Sequence, residues 1–133
     1  MNKKIWLILL AIVLIIIDQA VKRWVVSHPL FIINNPYLFF GFGPKFDLFL
    51  LSVLLVALLG YFLLCKNNRL NLGIILIISG AAANLIDRFL RGAVLDYLTI
   101  QVGFKLVFNL ADLYLVAGLV VYLYADLINK KTC

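Results

Sequence analysis

The chain has 133 residues, 65% of them hydrophobic and 14% charged, with a mean hydropathy of +1.11. Those values exclude a soluble domain and leave an integral membrane protein. A net charge of +6 would suggest nucleic acid for a soluble protein, but here the bases stand at the ends of apolar runs, where they anchor helices and meet anionic lipid. No nucleic-acid partner is expected.

A hydrocarbon core about 30 Å thick takes roughly 20 apolar residues per helix, so the chain has room for about four crossings in one integral domain, 1–133. The first predicted span, approximately 5–26, begins after Lys3 and Lys4, runs without a polar atom to Ile17, and meets "DQAVKRW" before leaving near Val26. A cleaved signal peptide would share the basic start. No small-x-small cleavage site follows, so a retained helix is expected. The stretch "SHPLFIINNPYLFFGFGPKFD" is rich in aromatic, Pro and Gly residues and reads as an interfacial loop. The second span, approximately 47–64, holds nothing more polar than Ser52 from Leu48 onward and reads as a structural wall. "CKNNR" is a polar turn. The third span, approximately 71–89, runs into "GAAANLIDRFLRG", where Gly80 to Ala83 allow close helix approach. Beyond it, "AVLDYLTIQVGFKLVFNLAD" alternates apolar and polar residues, which predicts a strand or hairpin over the mouth of the bundle, with Asp96 just before it. The fourth span, approximately 110–128, ends at Lys130 and Lys131. The expected fold is an all-α membrane protein, a bundle of four transmembrane helices with small extracytoplasmic β or loop elements over its outer mouth.

Lysine and arginine in the loops balance between the two sides. Lys22, Arg23 and Arg88 belong to polar clusters with functional candidates, which leaves the termini and the "CKNNR" turn cytoplasmic. Cys65 and Cys133 then lie on the cytoplasmic side, so no disulfide framework is expected. No metal-ligand spacing exists, His28 stands alone as an interfacial residue, and neither metal nor cofactor is expected.

The acids carry more information. All six are Asp and the chain has no Glu, although Glu disturbs a helix less. From Ile5 to Ile17 the first helix climbs roughly 20 Å at about 1.5 Å per residue before reaching Asp18. Asn84 comes at a similar height after Leu72, and the descending fourth helix holds Asp112 about 22 Å above its inner end. Ionisable groups in lipid cost about 2.5–3.5 kcal/mol each on insertion scales and normally face a bundle interior. Local explanations exist for each: Asp18 and Lys22 as an i, i+4 pair, Asn109 and Asp112 as a helix N-cap and N3 acid, Asn84 and Arg88 sharing one face, Asp87 pairing with a neighbour, and Gln19 as structural support. Separate local roles need not converge at one depth. Convergence therefore favours a single site, with Asp96 at its rim. Two confined carboxylates share a proton, one drawing a proton from water and the other donating to a carbonyl, as in aspartic peptidases.

"DQAVK" at Asp18 to Lys22, "NLIDR" at Asn84 to Arg88, "GAVLD" at Gly92 to Asp96 and "FNLAD" at Phe108 to Asp112 resemble, in order and spacing, the bacterial lipoprotein signal peptidases, or signal peptidase II. The resemblance implies Asp96 and Asp112 as the catalytic pair, with Asp18, Lys22, Asn35, Asn84, Arg88 and Asn109 lining or bracing the substrate pocket. It implies cleavage of signal peptides from prolipoproteins on the amino side of a diacylglyceryl-modified cysteine, by a monomer in contact with membrane lipid and blocked by globomycin. The enzyme would sit in the bacterial cytoplasmic membrane with its active site toward the outer face. Three departures stand out: Tyr37 replaces the glycine of the family's N-x-G-x-x-F pattern, in which Asn35 and Phe40 fit; Ala83 precedes Asn84 where glycine is common; and the first outer loop is short. Two other functions fit intramembrane Asp and Lys residues, a small ion- or proton-coupled transporter and a noncatalytic assembly factor. A transporter needs polar groups near the midplane, whereas the inner halves of the spans read as dry.

Overall fold

The structure, a computed structural model, describes residues 3–28, 32–35, 37–39, 42–45, 48–64 and 68–129. In chain order it holds α1 (Lys3–Ser27), β1 (Ile33–Asn35), β2 (Tyr37–Phe39), β3 (Phe42–Lys45), α2 (Leu48–Leu64), α3 (Asn68–Arg91), β4 (Val94–Asp96), β5 (Leu98–Val102), β6 (Phe104–Phe108) and α4 (Leu110–Asn129). The expected helices are present, with shifted ends. Helix α3 begins inside the expected polar turn, because Asn68 and Arg69 extend the helix outward from its apolar part. Residues Cys65, Lys66, Asp47, Phe40, Lys130, Lys131 and Cys133 lie outside the described residues, as does the side chain of Tyr37.

Three stretches, Lys3–Ser27, Asn71–Arg91 and Leu110–Ile128, are long and apolar enough to cross a membrane. Helix α2 is equally apolar but has 17 residues, about 26 Å at 1.5 Å per residue, and falls short of that length. Of the four helices expected as spans, three among the described residues have the length of a crossing and the fourth is a shorter apolar helix.

Helix α3 is the centre of the bundle and packs against the other three helices. Ile74, Ile75 and Ile78 recur at helical spacing on one face and bury against Ala11 of α1, Phe62 of α2 and Ala125 of α4. This core lies at the end of the bundle remote from the strands. There Lys4 Nζ donates to the carbonyls of Phe62 at 3.1 Å and Leu63 at 2.5 Å, closing the last turn of α2 with a cation. The dry inner half expected from sequence needs correction. Asn71 is wholly buried beside this core, and among the described residues neither its amide N nor its O has a hydrogen-bond partner. Ser79 is also buried, but its hydroxyl donates to Ile75 O at 2.7 Å, the local bond a helix offers to serine.

The seam between α3 and α4 sets the register of the site. A Cβ added at Gly73 would meet Tyr122 N at 2.6 Å and Gly118 O at 2.8 Å, and one at Gly80 would overlap the carbonyl of Ala111. The two backbones are therefore nearly in contact and run antiparallel. Going up α3 from Gly73 to Gly80 means going down α4 in sequence from Tyr122 to Ala111. One more turn brings Asn84 beside the start of α4.

The strands form three two-stranded sheets: β1 with β4, β2 with β3, and β5 with β6, all antiparallel. Gly103, at φ 71°, turns the β5–β6 hairpin, a backbone conformation that side chains with a Cβ resist. Pairing of β1 with β4 sets Ile33 opposite Asp96. That bond ties the first loop to the second across the bundle end.

Candidate active site

Helix α4 starts inside the molecule, where water cannot satisfy its first N–H groups. Each has a protein partner instead. Asn109 is the N-cap: its Oδ1 accepts from Asp112 N at 3.0 Å, while Asp112 Oδ2 accepts from Asn109 N at 3.1 Å. This is a reciprocal capping box with Asp at N3. Ala111 N donates to Asp18 Oδ1 at 3.0 Å, and Leu110 N donates to the Tyr97 hydroxyl at 3.2 Å.

The same side chains hold the candidate catalytic pair. Asn109 Nδ2 donates to Asp96 Oδ1 at 2.8 Å and to Asn84 Oδ1 at 3.2 Å. Asn84 Nδ2 donates to Asp112 Oδ1 at 2.8 Å, and Asn35 Nδ2 reaches Asp96 Oδ2 at 2.7 Å across the β1–β4 pair. Lys22 Nζ donates to Asn84 Oδ1 at 3.3 Å. An ammonium has no acceptor, so this contact and the Asn109 bond fix the Asn84 amide with its nitrogen toward Asp112. Asp96 and Asp112 thus come from separate elements and meet through Asn109 and Asn84.

Below them lies a buried ionic layer. Lys22 Nζ is 2.7 Å from Asp18 Oδ2 and 2.7 Å from Asp87 Oδ2, all three side chains being wholly buried. Arg91 also meets Asp87 at 2.7 Å, and Gln19 Nε2 donates to Asp87 Oδ1 at 3.0 Å and to Ala83 O at 3.2 Å. Arg88 donates to Asn84 O at 3.5 Å and stands within electrostatic reach of Asp112, Asp96 and Asp87. Charges taken out of water are tolerated when paired. Here Lys22, Arg88 and Arg91 face Asp18, Asp87, Asp96 and Asp112, so the acids exceed the bases by one. A single proton on the Asp96–Asp112 pair leaves the cluster neutral.

Asp96 lies on β4, beyond the helices. Burial, joined by the charge of Asp112, pushes its carboxyl up to about 6, against the bonds from Asn35 and Asn109 that favour the ionised form. Burial likewise pushes the Tyr97 hydroxyl up to about 12, keeping it a neutral cap for Leu110.

All the candidates named from sequence, Asp18, Gln19, Lys22, Asn35, Asn84, Asp87, Arg88, Asp96, Asn109 and Asp112, belong to one connected network. Asp18 and Lys22 sit in its buried floor, with both oxygens of Asp18 already engaged by Ala111 N and Lys22. Tyr97 and Arg91 escaped sequence reasoning. Arg91 follows Asp87 at i, i+4 and was open to it; nothing local marks Tyr97. Among the described residues no group of His, Cys, Asp and Glu is arranged to hold a metal ion.

The family model described as "Signal peptidase (SPase) II" matches residues 10–128. The lipoprotein signal peptidase of Clostridioides difficile (strain 630) is 38% identical over 131 residues, covering 85% of this chain and 88% of that protein. The lipoprotein signal peptidase of Lactococcus lactis subsp. cremoris (strain MG1363) is 30% identical and covers 98% of this chain and 99% of its own. A bacterial membrane enzyme solved by the in meso method at 2.3 Å superposes with a TM-score of 0.77 at 26% identity, covering 96% of this chain and 92% of that one.

Proposed function

The chain belongs to the signal peptidase II family, membrane peptidases that remove signal peptides from prolipoproteins, and on that premise we propose that Asp96 and Asp112 form its catalytic pair. One observation carries the assignment: the Asn109 backbone N–H donates to the Asp112 carboxylate while its side-chain amide donates to Asp96, so a single residue holds both carboxylates around one point. The chain would act as one integral unit crossing the membrane four times, termini cytoplasmic and site toward the outer face. There the pair meets the scissile bond beside the diacylglyceryl-modified cysteine.

The surroundings of the two carboxylates divide the labour. Asp112, at the first turn of α4, accepts from the Asn84 amide and the Asn109 N–H with Arg88 nearby, and serves as the base. Asp96, buried on β4 and pushed up to about 6, serves as the acid. Asp112 takes a proton from water as the water oxygen bonds to the scissile carbonyl carbon, while Asp96 donates its proton to the carbonyl oxygen. As the C–N bond breaks, Asp112 passes its proton to the departing nitrogen, and Asp96 recovers one from the collapsing diol. Asn35, Asn84, Asn109 and Arg88 line this space. Asp18, Lys22, Asp87 and Gln19 brace it from below.

Purified protein incubated with a diacylglyceryl-modified prolipoprotein tests this reading. Asp96→Asn and Asp112→Asn are each expected to lower cleavage at least about 100-fold while the thermal unfolding midpoint stays near that of the parent, and globomycin should block the parent. Retained cleavage by either variant rejects the pair.

A further inference from the structure

The β5–β6 hairpin leaves a wholly apolar face exposed towards its tip. Directly paired residues share a face. Leu98 with Phe108, Ile100 with Leu106 and Val102 with Phe104 make one face; Thr99 with Val107 and Gln101 with Lys105 make the other. Val107, at the base of the mixed face, is buried against the protein. Towards the tip both faces are open, and on the wholly apolar one this leaves Ile100 48% exposed, Val102 64% and Phe104 57%. In water such a face would be an aggregation site.

We propose that this hairpin lies in the membrane surface, its Leu98–Ile100–Val102–Phe104–Leu106 face inserted among the acyl chains of the leaflet at the site end of the bundle. Two observations select lipid as the occupant. Phe89 and Leu90 at the end of α3 and Leu113 at the start of α4 are exposed apolar residues of membrane-crossing helices. The hairpin joins those two helices, so its apolar face prolongs a surface already turned to lipid. The bases exposed at this end, Arg23 and Lys105, suit anionic headgroups, and Lys105 sits on the opposite face of the hairpin from Val102, as an interfacial element requires. Because β5 begins just after Asp96, the depth of the hairpin sets the height of Asp96 in the leaflet. The insertion itself does not depend on the catalytic reading.

Tryptophan placed at single positions reads this depth. In the full chain carrying Trp6→Phe and Trp24→Phe, Ile100→Trp, Val102→Trp and, as the neighbour on the mixed face, Gln101→Trp are reconstituted into phosphatidylcholine–phosphatidylglycerol vesicles whose acyl chains are brominated near the headgroup. Emission from positions 100 and 102 should fall at least about twofold, with a blue shift, while that from 101 changes little. Equal quenching at 101 and 102, or none at either, overturns the proposal. So does a blue shift that grows only with protein-to-lipid ratio, which marks a second copy, or one that appears only with added prolipoprotein, which marks substrate. Where a tryptophan disturbs folding, a nitroxide on Val102→Cys in a chain with Cys65→Ser and Cys133→Ser reads the same depth by oxygen against nickel relaxation. Retained cleavage by Asp96→Asn or Asp112→Asn with the quenching pattern intact would reject the catalytic pair and leave the insertion standing.

Discussion

Asn109 serves two roles that sequence reasoning treats as rivals, because an asparagine side chain offers one acceptor to the helix and two N–H bonds elsewhere. The cap and the site are the same object: a helix that starts away from water must satisfy its N–H groups with side chains, and those side chains then define a polar chamber. Asn35 acts on the neighbouring carboxyl from a distance in sequence. It donates to the ionised form of Asp96 and so holds the value near 6 below what burial alone would give. Asp96 must carry a proton to act as acid, so the rate falls as pH rises and the shared proton leaves the pair. Asn35→Leu removes a bond to the charged form, Asp96 keeps its proton to higher pH, and the alkaline limb of kcat should move up by roughly half a unit or more. A pH profile of cleavage in micelles checks the sign; a limb that stays or moves down contradicts the assignment. Asn71, at the other end of α3, has the opposite character. Its buried amide is unsatisfied among the described residues, and Asn71→Leu is expected to stabilise by about 1–3 kcal/mol with unchanged cleavage, read as a higher unfolding midpoint.

Between elements, the α3–α4 seam does the positioning. An alanine methyl at Gly80 would overlap the Ala111 carbonyl and meet the Leu115 side chain at 2.8 Å, so the helices must part near the first turn of α4. Gly80→Ala should cost about 1–3 kcal/mol and also lower kcat, since it shifts Asn109 and Asp112 against Asn84. Gly73→Ala meets an equally close backbone two turns away and should cost similar stability with a smaller loss of rate. Equal loss of kcat in both variants would deny that the seam sets the site. The contrast also shows what sequence patterning carries. Hydropathy and the Asp, Asn and Arg placements revealed the helices, the hairpin and the depth at which Asp18, Asn84 and Asp112 converge, because each is periodic within one segment. Gly80 was legible as a small residue in a span. Its counterparts, the Gly73–Gly118 contact, the β1–β4 pair that brings Asn35 to Asp96, and the capping of Ala111 by Asp18, join residues far apart in the chain. No local period encodes them.

For the whole molecule the open question is the path of α2, whose 17 residues are fewer than a full span. Connectivity constrains it. Asp18 and Lys22 of α1 meet Ala111 and Asp87, while Ala11 packs among Ile74, Ile75 and Ile78, so α1 and α3 rise in the same direction. Strand β1 pairs with β4 at the end where α3 finishes, yet α3 begins at the opposite end beside Phe62 of α2 and Ala11 of α1. Helix α2 therefore runs back along the length of the bundle that α1 climbed. A span of about 26 Å is accommodated by local thinning at fractions of a kcal/mol per Å of mismatch. With α4 descending along the glycine seam, we propose four crossings with both termini on one side. In a chain with Cys65→Ser and Cys133→Ser, single cysteines at Asn2, Gln101 and Thr132 report this to a membrane-impermeant maleimide applied to whole cells. Gln101→Cys should label at once, and Asn2→Cys and Thr132→Cys only after permeabilisation. Labelling of Asn2→Cys and Thr132→Cys from opposite sides would mean an odd number of crossings and an α2 that lies along the membrane instead of through it.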